Sequence, residues 1–168
     1  HLVFSTLHTN DTIGVIPRLI DLGVEKYLIA PTLNLAMAQR LLRKLCSACK
    51  VKSKPSTADE NILKEEIGRM PEEVRNGLDK NFSVYKASQE GCTECRGKAF
   101  KGRLAIFEVL EITDDIEKII LSGLSEAALK EAAKNQGMLT MFQDGILKVL
   151  EGIVSLEELL EVAEVGNA

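Results

Sequence analysis

Apolar residues recur along this chain at two spacings, and the changes between them lay out the elements. His1 to Leu7 (HLVFSTL) is a short β-prone run ending in the polar cluster His8, Thr9, Asn10, Asp11 and Thr12, the pattern of a buried strand, a turn and a helix cap. Ile13, Ile16 and Ile20 then fall at helical spacing up to Gly23. Pro17 inside that stretch removes one backbone donor, which kinks the helix or delays its start. From Leu28 to Leu45 the chain is rich in Leu, Ala and Met, and Leu35, Ala38, Leu41, Leu42 and Leu45 repeat on one face as in a buried helix. Arg40, Arg43 and Lys44 sit in its last turns, where cations complement the negative end of the helix dipole.

Residues 50–81 change character: Lys, Pro, Ser and Glu dominate, with short amphipathic helices predicted over Ala58–Gly68 and Pro71–Gly77, an excursion from the core. Phe82–Ala87 is strand-prone, a Gly and Cys turn follows, and Arg103–Glu111 alternates as a strand, so a hairpin is expected. Beyond Thr113, a candidate cap, four short helices are predicted: Asp115–Leu121, Glu126–Gln136, Met141–Leu150 and Leu156–Glu164. Ser125, Thr140 and Ser155 precede three of them, and Ser155 with Glu158 has capping-box spacing. The chain mixes strands with helices and shows no internal repeat, and its fold class is taken as α/β.

At 168 residues and 45% hydrophobic content the chain can bury a core, as one domain or part of a larger one. No run approaches the roughly 20 apolar residues of a membrane span, no signal-peptide pattern opens it, and the lack of an initial Met reads as a piece of something longer. The net charge of −4 hides an asymmetry. Residues 1–103 carry 17 Lys and Arg against 12 Asp and Glu, and residues 104–168 carry 4 against 13. The acidic part reads as solvated helix surface; the basic part could face phosphates, acidic lipid or an acidic protein surface.

Cys46-Ser-Ala-Cys49 and Cys92-Thr-Glu-Cys95 account for all 4 cysteines. Two such turns brought together give four thiolates at about 2.3 Å in a tetrahedron, the closed coordination of structural zinc. Two disulfides, a redox pair or four unrelated thiols are the competing readings; paired C-x-x-C turns without secretory features favour zinc and a cytosolic setting. Four thiolates leave no open position for a reactive water, so the metal would hold the excursion to the core. Arg43, Lys44, Lys50, Lys52, Arg96, Lys98, Lys101 and Arg103 flank the turns and offset the net −2 of such a centre. Gly91–Ala99 (GCTECRGKA) superficially resembles a phosphate loop but fails: five residues separate its glycines where four are needed, and Ala99 replaces the magnesium-binding hydroxyl.

His8 by itself reads first as a hydrogen-bonded residue in a capped turn. Its setting, Ser5-Thr6-Leu7-His8-Thr9-Asn10-Asp11, resembles the histidine box of type II secretion and type IV pilus-assembly ATPases, RecA-like motors of the GspE and PilB group. The resemblance continues in order through Arg18-Leu19-Ile20-Asp21-Leu22-Gly23-Val24, Ala38-Gln39-Arg40-Leu41, the cysteine pairs, Gly102-Arg103 with Phe107-Glu108, and Gly137-Met138 with Asp144-Gly145. It covers nearly the whole chain, and the tetracysteine separates this group from retraction motors that lack it. Pro17 departs from the family's usual helix.

The resemblance implies the C-terminal fragment of a RecA-like ATPase domain: residues 1–45 in the nucleotide core, 46–103 as a four-Cys zinc subdomain, and 104–168 as a strand with a small C-terminal helical bundle. It implies ATP hydrolysis with Mg at a cleft between subunit domains of a homo-hexamer docked on an inner-membrane platform protein, in the cytoplasm and peripheral to the bacterial inner membrane. The Walker A phosphate loop, aspartate box and Walker B acidic box of the family lie ahead of the histidine box, so these 168 residues alone are expected to bind zinc without turning over ATP. His8 would sense or polarise the γ-phosphate, with Thr6 beside it, while Arg18 and Arg40 would support the nucleotide or a subunit contact. Pilus assembly and protein secretion share these motifs. The alternatives are a zinc-ribbon module that binds nucleic acid, for which 4% aromatics and no Trp provide little stacking surface, and a purely structural interaction domain. No nucleic-acid partner is expected.

Overall fold

The computed structural model describes residues 1–78, 83–123 and 125–163. In chain order the elements are α1 (Val15–Asp21), α2 (Lys26–Thr32), β1 (Leu35–Leu45), β2 (Val51–Ser53), α3 (Thr57–Arg69), α4 (Glu72–Asn76), β3 (Val84–Lys86), β4 (Phe100–Glu111), α5 (Asp114–Ser122), α6 (Glu126–Asn135), α7 (Met141–Leu150) and α8 (Leu156–Val162). They form two compact units, each built from two stretches of chain: His1–Ala38 with Glu108–Met138, and Gln39–Phe107 with Leu139 onward. The chain leaves the first unit along β1 and returns to it along β4, which pair as a two-stranded sheet.

In the first unit the core is aliphatic. Ile13 and Ile16, Ile29 and Ala30 of α2, Ile116 and Ile120 of α5, and Leu129 and Ala133 of α6 are all buried. The i, i+4 pairs on α5 and α6 give each helix one apolar stripe, and α2 packs on α5 and α5 on α6. Pro17 delays the helix: it falls in the first turn of α1, where its missing N–H would have had no intrahelical partner, and Arg18 N–H to Gly14 C=O at 3.2 Å is the first full turn.

The second unit is organised around α7. Phe142, Ile146 and Val149 are buried, and α8, α3 and β3 pack against this helix. Gly145 lets α8 approach, since a Cβ there would lie 2.2 Å from Leu159 Cδ1. β2 and β3 pair antiparallel with Val51 opposite Lys86, Lys52 opposite Tyr85 and Ser53 opposite Val84. The excursion helices form as expected, α3 with a reciprocal Ser56–Asp59 capping box. A reciprocal box also starts α7, from Thr140 and Gln143.

Several sequence expectations are corrected. The expected buried strand at residues 1–7 is neither strand nor buried: residues 1–9 carry no secondary structure, and Leu2, Val3 and Phe4 are 79–87% exposed. A β-prone run needs an edge to pair with, and neither two-stranded sheet includes this one.

The expected helix over Leu28–Leu45 divides. α2 ends at Thr32, one residue past Pro31, and Leu35–Leu45 is strand β1. Burial then follows a period of two, with Ala36 and Leu42 inside and Leu35, Met37, Gln39, Leu41 and Arg43 outside. Pairing with β4 overrides the helix propensity of this Leu-rich and Ala-rich run, so Arg40, Arg43 and Lys44 do not cap a helix dipole.

The expected hairpin does not form either. The strand predicted from Phe82, which itself lies outside the described residues, pairs as β3 with β2, and β4 pairs with β1. Thr113 precedes α5 without a side-chain cap. Ser155 caps Glu158 N–H, but the Glu158 carboxylate turns to Arg43 and does not return the bond. Of the four late helices, α5 and α6 belong to the first unit and α7 and α8 to the second.

Candidate metal centre

The second unit brings all four cysteines together. Cys46 follows the end of β1, and a tight turn carries Cys49 back beneath it, with Cys49 and Lys50 N–H groups donating to Cys46 C=O at 3.2 and 2.9 Å. Cys92 and Cys95 sit on the turn that feeds β4, closed by Gly97 N–H to Cys92 C=O at 3.0 Å. Cys46 N–H donates to Ala99 C=O at 2.9 Å and fastens one turn to the other.

The sulfur positions have the dimensions of a metal centre. Cys46 Sγ lies 3.7 Å from Cys92 Sγ, Cys49 Sγ 3.8 Å from Cys95 Sγ, and Cys92 Sγ 3.7 Å from Cys95 Sγ. All four sulfurs fall within 4.8 Å of one another. A tetrahedron with bonds of about 2.3 Å has edges of about 3.8 Å, so one ion could reach all four. A disulfide needs about 2.05 Å, and every cysteine here is free. Disulfide pairing is thereby excluded in this structure.

Backbone amides and burial differentiate the thiols. Burial pushes the Cys95 thiol up, but N–H groups of Cys92 and Ala99, 3.1 and 3.2 Å from Cys95 Sγ, outweigh it and bring the thiol down to about 6, with help from the thiols of Cys92 and Cys49. Burial also acts on Cys49, where hydrogen bonds from its own S–H to the neighbouring cysteine sulfurs reinforce it and push the group up to about 12. A divalent ion taking four thiolates would release protons on binding, that of Cys49 among them.

The eight flanking cations were expected to offset the thiolate charge, and three are engaged elsewhere. Arg43 pairs with Glu158 and lies 4.4 Å over the Phe100 ring; Lys50 donates to Gly152 C=O at 2.6 Å and lies over the Tyr85 ring; Lys101 reaches Glu94 at 3.5 Å. The Cys92 and Ala99 amides stabilise the Cys95 thiolate at shorter range.

The other candidate residues are not gathered at this centre. Thr6 and His8 lie exposed in the segment ahead of α1, and Arg18 lies exposed on α1, all in the first unit. Arg40 is half-buried on β1 in the second unit, donating to Gln39 C=O at 3.1 Å.

Glu108 and Glu158, which carry sequence motifs, are buried acceptors that the motifs did not foretell. Glu108 is buried and accepts from Thr12, and Glu158 is buried against Arg43. Each had a signal: Glu108 shares the inward phase of β4 with Ile106 and Leu110, and Glu158 lies between the apolar positions Leu156 and Leu159 of α8. A charge at a core-facing position requires a built partner.

The family described as Type II/IV secretion system protein matches residues 1–161, a span that includes the histidine turn and all four cysteines. The chain belongs to this family. It is similar to the type IV pilus assembly ATPase PilB of Myxococcus xanthus, 38% identical over 161 residues, which are 95% of this chain and 26% of that protein. It is also similar to the type IV pilus assembly ATPase PilB of Thermus thermophilus, 41% identical over 160 residues, 95% of this chain and 17% of that protein. The type II secretion system protein E of Pseudomonas aeruginosa is 37% identical over 162 residues, 96% of this chain and 30% of that protein. The chain thus spans about a third or less of the length of these relatives. Among the described residues no helix is long and apolar enough to cross a membrane.

Proposed function

We propose that this chain is the C-terminal section of a cytoplasmic ATPase, peripheral to the bacterial inner membrane, that powers pilus assembly or type II protein secretion. What supports the reading is the family match over residues 1–161 with a tetrathiolate cluster of zinc dimensions inside it. Hydrolysis of ATP with Mg belongs to the complete motor, a homo-hexamer engaged with an inner-membrane platform protein. Residues 1–45 contribute to a RecA-like nucleotide core, 46–103 carry the zinc insertion, and 104–168 form the small C-terminal part.

Zinc held by Cys46, Cys49, Cys92 and Cys95 stabilises the fold and performs no hydrolysis, because four thiolates fill its coordination. His8, next to Thr6, senses the γ-phosphate: an exposed imidazole ahead of a fixed turn can hydrogen-bond a phosphate or an attacking water and pass that contact to the backbone. Arg18 and Arg40 serve the nucleotide or a subunit contact.

Two measurements test the reading. The 168-residue chain should contain about one zinc per molecule by elemental analysis and show no ATP turnover. In the complete motor, His8→Ala should abolish most ATPase activity while zinc content and thermal unfolding stay unchanged. Wild-type turnover in His8→Ala would refute the sensing role, and binding of duplex DNA that falls steeply with salt would favour a nucleic-acid module instead.

A further inference from the structure

Thr12 and Glu108 stand 96 residues apart and meet inside the first unit. Thr12 N–H donates to Glu108 Oε1 at 2.9 Å, and the Thr12 hydroxyl donates to the same oxygen at 2.6 Å. Thr12 is wholly buried and Glu108 6% exposed. Thr12 Oγ1 also lies 3.9 Å from Met138 Sδ, so three sequence motifs far apart in the chain, Thr9 to Thr12, Phe107-Glu108 and Gly137-Met138, converge on one side chain.

A buried carboxylate is costly, and an apolar residue at this inward position of β4 would satisfy the core equally well. Two of its bonds go to the turn that follows His8. Within that turn Thr9 Oγ1 donates to Asp11 C=O at 3.0 Å, and Asp11 Oδ1 accepts from Gly14 N–H at 2.7 Å. Those two contacts are local and shape the turn; the bonds to Glu108 anchor it to another element. His8 itself is exposed, so what fixes its backbone is the turn immediately after it.

We propose that Glu108 is the positioning residue of the histidine turn: through Thr12 it sets where His8 stands. The proposal rests on the reading of His8 as the phosphate-sensing group, and its test separates the two.

Amide hydrogen exchange by NMR on the 168-residue chain reads the anchor alone. In Glu108→Ala, the Thr12 amide and its neighbours from Thr9 to Ile13 should exchange at least about 10-fold faster while core amides such as Leu129 keep their protection. Glu108→Gln, which retains one acceptor oxygen, should restore most of the protection. Unchanged exchange at Thr12, or equal loosening of Leu129, overturns the proposal. If Glu108→Ala does not fold, Thr12→Val removes the hydroxyl bond and should give the same local pattern, and its failure to do so counts equally against the anchor.

ATPase kinetics of the complete motor then read the consequence. Glu108→Ala should lower kcat about 10-fold or more with KM for ATP changed less than about 2-fold, and should add nothing in a His8→Ala background. An additional loss in that background overturns action through His8. A loosened turn together with a fully active His8→Ala would leave the anchor standing and remove the sensing role.

Discussion

The turn that carries Cys92 and Cys95 permits a sharp comparison between two glycines. Gly91 and Gly97 both adopt left-handed backbone, at φ +68° and +75°. Alanine costs about 1–2 kcal/mol in that region whatever the space around it. A Cβ on Gly97 would find nothing closer than Glu90 C=O at 3.7 Å, so Gly97→Ala should cost only that amount. A Cβ on Gly91 would lie 2.5, 2.7 and 2.8 Å from the carbonyl carbon, Cα and oxygen of Gly97, all backbone atoms that cannot rotate away. Overpacking of this kind adds about 1–3 kcal/mol, for a total of about 2–5 kcal/mol. Because Gly91 adjoins Cys92, the strain should appear in metal affinity. By competition with a chromophoric chelator, Gly97→Ala should weaken zinc binding roughly 5- to 30-fold and Gly91→Ala roughly 30- to 5,000-fold. Equal affinities for the two variants would refute the argument that backbone crossing at Gly91 shapes the centre.

The remaining predictions concern the second unit. Glu158→Ala removes the acceptor of Arg43 N–H at 2.9 Å and of its guanidinium, and should lower stability by about 2–3 kcal/mol in chemical denaturation; Glu161→Ala, whose exposed carboxylate is 3.7 Å from Arg43, should cost less than about 1 kcal/mol. Burial pushes the Glu158 carboxyl up, but the Arg43 donors outweigh it and hold the group below its ordinary value. Its contribution is therefore full above the unfolded carboxyl value of about 4.3 and is lost as pH falls through the lower folded value, so the stability gap between wild type and Glu158→Gln should narrow only in acid. Cys49→Ser should drop zinc content well below one per chain and lower the melting temperature, and a strong chelator should reproduce that drop in the wild type. Thr140→Ala should cost about 1 kcal/mol through loss of the bond to Gln143 N–H at 3.2 Å, measured by thermal unfolding.

What the sequence determined by itself was local chemistry. The C-x-x-C spacing is a covalent constraint that curls each pair of thiols into one turn, and the sulfurs do meet. The late helices start where Ser125, Thr140 and Ser155 can satisfy orphan amides, because a cap needs only neighbours three residues away. Tertiary structure decided whatever depends on a distant partner. Leu35–Leu45 fits one face of a helix as well as one phase of a strand, and only pairing with β4 selects the strand. His1–Leu7 has the composition of a strand and no edge among the described residues to join. Glu108 and Glu158 look in sequence like solvated charges, and become buried acceptors only when Thr12 and Arg43 arrive from 96 and 115 residues away. Short-range order is written in spacing, whereas strand pairing and buried charge are settled by which surfaces the folded chain brings together.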